Sequence, residues 1–150
     1  MATLRKAVVT KAGISYVTMT DIEESDRLAE TNVPPTKDQL LARAAAKRWD
    51  VETSGITLPG DIRVSTDLIA QTKIAAAKTA YDNGTLKDPI AFKALTGWLT
   101  ADAAMLTTVY EAVVSHVERG YATEKAVGDA INAGSITTYD AIEAAAWPKN

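Results

Sequence analysis

The sequence predicts an α+β fold: short antiparallel β-hairpins packed on a long helix and shorter helices, with a small β/helix amino-terminal arm. Three observations predict it. Extended, β-branched segments flank turn residues near Gly13, Pro59-Gly60 and Thr96-Gly97. Leu106, Val109, Val113 and Val117 recur at spacings of three and four, the apolar stripe of a long helix. Two stretches, Thr20-Asp21-Ile22-Glu23 and Thr36-Lys37-Asp38-Gln39, have capping-box form, a hydroxyl followed three residues on by a carboxylate or amide.

In chain order, Ala7-Val8-Val9 and Ile14-Ser15-Tyr16-Val17 read as two strands around Lys11-Ala12-Gly13. The first capping box opens a short acidic helix to about Glu30, which Asn32-Val33-Pro34-Pro35 breaks, because Pro34 biases Val33 away from the helical region. This divides the chain into an arm, residues 1–35, and a main domain, residues 36–150. The second capping box starts a helix through LLARAAAKR. Beyond Trp49 the pattern reads as extended, with Trp49, Val51 and Thr53 on one strand face and Gly55 in a bulge. Leu58-Pro59-Gly60-Asp61 suits a type II turn, after which Ile62 and Val64 pair back on Ile56 and Leu58. Thr66 is expected to cap a helix ending near Asp82-Asn83-Gly84. A second extended pair, Phe92 to Leu95 and Trp98-Leu99, precedes Thr100 as the expected cap of the longest helix. That helix continues through Tyr121, Val127 and Ile131 to Gly134, with Gly120 and Gly128 marking close packing or a break. A last helix runs from about Thr138 to Trp147 before Pro148.

Composition narrows the chemistry. The 150 residues suit one compact domain with a short appendage, and 47% hydrophobic with 23% charged residues is the balance of a globular protein. Sixteen Lys and Arg against nineteen Asp and Glu leave a net charge of −3, which argues against a phosphate-neutralising surface and so against nucleic acid as a partner. The densest basic group, Arg43, Lys47 and Arg48, reads as cations complementing a helix end. There is no cysteine, hence no disulfide framework or thiol nucleophile. The apolar run near the amino terminus is too short for a signal-peptide core, and no stretch approaches the ~20 apolar residues of a membrane span. No membrane partner is therefore expected.

His116 is the single histidine, which leaves catalytic triads and two-histidine metal sites short of a member. Its place beside Val113 and Val117 favours a packing role over acid–base work. Glu23, Glu24 and Asp26 cluster on the first short helix, and Asp50 with Glu52 is expected along one strand face; solvated faces explain both better than paired catalytic carboxylates. The glycines are scattered singly, with no phosphate-cradling loop, and no calcium-loop spacing occurs. Neither enzyme activity nor a cofactor or metal is expected. For Trp49, Trp98 and Trp147 core packing is favoured over binding, with Trp147 the best interface candidate.

The stretch KRWDVETSGITLPGDIRVSTD, then Gln71, FKALTGWLTADAAML and AVVSHVERGYATE, resembles the family called domain of unknown function 4376 over roughly residues 44–145. The resemblance is carried by Arg48-Trp49 leading to Glu52, by Gly55-Ile56 and Gly60, by Thr66-Asp67 with Gln71, and by His116-Val117 with Tyr121 and Glu124. Phe92-Lys93 and Ala70 depart from it, and the arm lies outside it. The resemblance implies a domain of bacteriophage and prophage tail or tail-fibre proteins, or of small proteins encoded beside them, with no catalytic residues to carry over. It leads to the expectation of a non-enzymatic virion component that binds tail, fibre or baseplate proteins, as a monomer or homo-oligomer, in the virion tail after assembly in the host cytoplasm. The alternative is a tail-fibre assembly chaperone absent from the mature particle. The expected binding residues are Trp49, Ile56, Leu58, Ile62, Val64 and Trp147, with a strand edge of the hairpin around Pro59-Gly60, or of the arm, open to a partner's sheet.

Overall fold

A computed structural model describes residues 5–10, 13–20, 22–23 and 33–149. The chain divides into two compact units, Met1–Pro34 and Pro35–Asn150. In the first, β1 (Arg5–Thr10) pairs antiparallel with β2 (Gly13–Thr18). The first capping box forms: the Glu23 carboxylate accepts from the Thr20 backbone N–H at 3.0 Å, and the Thr20 hydroxyl accepts from the Glu23 N–H at 3.3 Å. Lys6 donates to the same carboxylate, and Glu23 is held at a pKa of about 2, first by Lys6 and then by the Thr20 N–H. Glu24 and Asp26 lie outside the described residues.

The second unit is built on α3 (Ala103–Asn132), whose 30 residues span about 45 Å at 1.5 Å per residue. Along it lie α1 (Lys37–Thr53), β3 (Ile56–Leu58), β4 (Ile62–Val64), α2 (Leu68–Asp82), β5 (Ile90–Ala94), β6 (Gly97–Ala101) and α4 (Tyr139–Glu143). The sheets are antiparallel two-stranded ribbons, β3 with β4 and β5 with β6. The fold is the expected α+β arrangement of hairpins on a long helix.

Two apolar clusters flank α3. Ile56, Val64, Ile74, Val109 and Val113 join α2 and the β3–β4 hairpin to its amino-terminal half. Leu40, Ala44, Val127, Ile131, Ile142 and Trp147 join α1 and the carboxyl-terminal segment to its other half. Gly120 and Gly128 do not break the helix; a Cβ at either would stand 3.7 Å from Arg48 Cγ or Leu41 Cδ2 respectively, which marks the close approach of α1.

Several boundaries differ from expectation. α1 continues through Trp49, Val51 and Thr53 instead of yielding to a strand, since the Trp49–Thr53 turn gains a set of carbonyl partners from elsewhere in the fold. The Ile56–Leu58 to Ile62–Val64 register is as read, with Ile56 opposite Val64 and Leu58 opposite Ile62, while Gly55 precedes the strand and forms no bulge in it. Gly60 takes the positive φ of +81° that the third position of a type II turn demands, and Asp61 follows at +58°. Asp67, not Thr66, caps α2 by accepting from the Ala70 N–H at 2.8 Å. Asp102, not Thr100, caps α3; Thr100 lies inside β6, and the β5–β6 turn is Leu95-Thr96. The last helix stops at Glu143, well before Trp147, which is bonded to the helix rather than part of it.

Candidate functional site

Of the residues that carried the resemblance, Arg48, Glu52, Gly55, Thr66, Gln71, His116, Tyr121 and Glu124 meet at one polar junction between the two apolar clusters, where the end of α1 crosses the middle of α3. Continuation of α1 through Thr53 puts Arg48 and Glu52 one turn apart on the same face, where they form an ion pair. Arg48 Nε also donates to Glu124 Oε2 at 2.9 Å, and its guanidinium lies 4.5 Å from the Tyr121 ring centroid and 5.9 Å from that of Trp49. Burial opposes its charge, but Tyr121, Glu52 and Glu124 together outweigh this and push the Arg48 pKa up.

Glu52 is buried, and its second oxygen accepts from Gln71 Nε2 at 3.2 Å. Gln71 also donates to the Thr66 carbonyl at 2.8 Å. Thr66, fully buried, accepts from the Gly55 N–H at 2.9 Å and donates to the Glu52 carbonyl, so one hydroxyl ties the end of α1 to the link between β4 and α2. Gly55 sits where a side chain is excluded: its φ is +88°, and a Cβ would lie 2.9 Å from the Val64 carbonyl oxygen.

His116 is wholly buried, in keeping with a packing role. Its Nε2 lies 2.8 Å from the Val51 carbonyl, and a carbonyl only accepts, so Nε2 carries a hydrogen and donates it. Nδ1 has no hydrogen-bond partner among the described residues. The last carbonyls of a helix lack partners within it. At the end of α1 they are met by His116 and Ser54 on Val51, and by Thr66 on Glu52. The junction is therefore a helix terminus sealed by side chains from α3 and the β4–α2 link.

Arg43, Lys47 and Arg48 do not sit at a helix end. Arg43 and Lys47 converge on Glu143 of α4, Arg43 Nε at 2.8 Å and Lys47 Nζ at 2.8 Å. Lys47 first and Arg43 next hold the Glu143 pKa below its ordinary value. Asp50 and Glu52 do not share a strand face: two residues apart on a helix they do not face one another, and only Glu52 is buried.

The expected binding residues separate. Ile56, Val64 and Trp147 belong to the core, and Leu58 and Ile62 pack half-buried against it. Trp147, the favoured interface tryptophan, instead donates its indole N–H to the Ile142 carbonyl at 2.7 Å. Trp49 and Trp98, read as core, are 50% and 69% exposed. Tyr121, read as part of the apolar stripe, faces out over Arg48. The outer edge of β4 is met by the β5–β6 turn, with the Leu95 N–H donating to the Arg63 carbonyl at 2.7 Å, so that strand does not offer an open edge there. The Arg48–Glu52 pair was missed because its signal, opposite charges four apart, depends on knowing that the helix continues past Trp49.

Among the described residues no group of three or more His, Asp or Glu side chains is placed to hold a metal ion, and no helix is long and apolar enough to cross a membrane. The junction and its helices lie within residues 35–146, which match the family model described as Domain of unknown function (DUF4376). That span covers most of the chain, and the chain belongs to this family. No curated protein and no solved structure matches it.

Proposed function

We propose that this chain is a non-enzymatic structural component of a bacteriophage virion, a small tail-associated protein that binds other tail, fibre or baseplate proteins. One observation supports the non-catalytic part of the reading. Arg48, Glu52, Gly55, Thr66, Asp67, Gln71, His116, Tyr121 and Glu124 all engage one another, a helix end or a cap. With their polar groups taken up inside the fold, these side chains support a structural role for the junction. The tail setting comes from what the family resemblance implies.

The test is quantitative mass spectrometry of purified phage particles. A fixed ratio to the tail proteins is expected. Absence from particles, with abundance in infected cells, would overturn this reading in favour of the assembly chaperone.

A further inference from the structure

The ribbon formed by β5 and β6 has an open side. Its two-residue turn, Leu95-Thr96, makes Ala94 and Gly97 the first bonded pair, and bonded and non-bonded pairs then alternate. Phe92 with Leu99 and Ile90 with Ala101 are bonded pairs, whereas Lys93 with Trp98 and Ala91 with Thr100 are not. The N–H and C=O groups of Ala91 and Lys93 therefore point away from β6. Leu95 shares this parity, and its N–H does point away from β6, to the Arg63 carbonyl of β4. Beyond that bond β4 parts from β5, since Ser65 and Asp67 turn the chain into α2. No described residue bonds the outward groups of Ala91 and Lys93.

The gap left by this divergence is a cleft of about 500 Å³, floored by Ile74, Phe92 and Leu106 and rimmed by Ile69, Lys73 and Lys93. Ile69 is 67% exposed at the rim. Its charge is locally reversed from that of the chain. Neither Lys73 nor Lys93 makes an ion pair among the described residues, although Lys93 lies 5.5 Å from the Trp98 ring centroid. The one acidic side chain in the lining, Asp67, accepts from the Ala70 N–H and from the Ser65 hydroxyl at 2.7 Å and also feels the charge of Lys73, which leaves two lysines against one carboxylate.

We propose that the β5 edge at Ala91 and Lys93 is a docking strand that takes an extended, acidic–apolar segment of a partner protein as a further β-strand. The outward N–H and C=O groups supply backbone pairing, the cleft takes the apolar side chains, and Lys73 and Lys93 take the carboxylates. A second copy of the chain fits less well, because a two-fold pairing of β5 with β5 would bring together two edges that each carry the same positive charge. This deepens the binding role proposed above and rests on it, but it is read in vitro, so its failure is distinct from absence of the chain from particles.

The experiment titrates the full chain with a synthetic peptide alternating valine and glutamate, and follows amide exchange by NMR. The Ala91 and Lys93 amides should become protected at least about tenfold, and a peptide with lysine in place of glutamate should bind about tenfold more weakly. Ala91→Pro removes an outward N–H that the ribbon does not use, and should weaken binding several-fold. K73E combined with K93E changes no ladder bond and should weaken it about tenfold if Ala91→Pro fails to fold. Absence of binding, binding without protection of Ala91 and Lys93, or equal binding of the lysine peptide would overturn the proposal. Protection that rises with protein concentration alone would overturn it too, and assign the edge to a second copy.

Discussion

Replacing Arg48 with methionine would leave Glu52 in a buried position without its cation, held only by Gln71. Removal of one partner from a buried pair typically costs about 3–5 kcal/mol, because the remaining charge has left water without compensation. R48M should therefore lower the urea-unfolding free energy by roughly that amount. The exposed pair of Lys125 with Asp129 provides the contrast at the same i,i+4 spacing. Lys125→Met should change stability by no more than about 0.5 kcal/mol, since both groups are solvated and screened. Equal effects of the two substitutions would show that Arg48 is not the centre of the junction.

Among the elements, the step from α1 into the β3–β4 hairpin has the least tolerance. Gly55 combines a left-handed φ of +88° with a carbonyl oxygen 2.9 Å from where a Cβ would stand. Gly84, which follows α2, has a similar φ of +76° but open space around it. Both substitutions to alanine carry the αL penalty of about 1 kcal/mol, and only Gly55→Ala adds displacement of the β4 backbone. Thermal unfolding should show a clearly larger loss for Gly55→Ala than for Gly84→Ala. A smaller or equal loss would mean that the hairpin shifts freely against α1, contrary to the Thr66 tie between them.

Across the whole second unit, α3 carries two apolar clusters with a polar junction between them, and the far cluster is closed by the tie from Arg43 and Lys47 to Glu143. The folded Glu143 pKa lies below its ordinary value of 4.5, so its carboxylate contributes stability above about that pH. The contribution fades as pH falls through the lowered folded value, where the pair is protonated apart. Ile142, next in sequence to Glu143, accepts the indole N–H of Trp147, so exchange of that indole proton reports on the tie. Its exchange, corrected for the intrinsic pH dependence, should accelerate as pH drops below 4.5, and E143Q should be fast already at neutral pH. Protection that holds unchanged in strong acid would show that Trp147 is retained by apolar burial alone.

What the sequence determined by itself is local: the capping boxes at Thr20 and Thr36, the Pro59-Gly60 turn with its hairpin register, the α3 stripe and the glycine stops. Each depends on residues within a few positions of one another, where steric limits and short-range hydrogen bonds act alone. The family was also legible, from the order of its motif residues, and the α+β class followed from the two periodicities. Tertiary structure decided the rest. Whether Trp49–Thr53 is helix or strand depends on carbonyl partners supplied by His116 and Thr66, far away in sequence. Which tryptophan is buried depends on what covers it, so Trp147 entered the core while Trp49 and Trp98 stayed outside. The junction itself exists only because α1, α2 and α3 bring Arg48, Glu52, Gln71 and Glu124 together, and burying charge requires partners that no local pattern can specify.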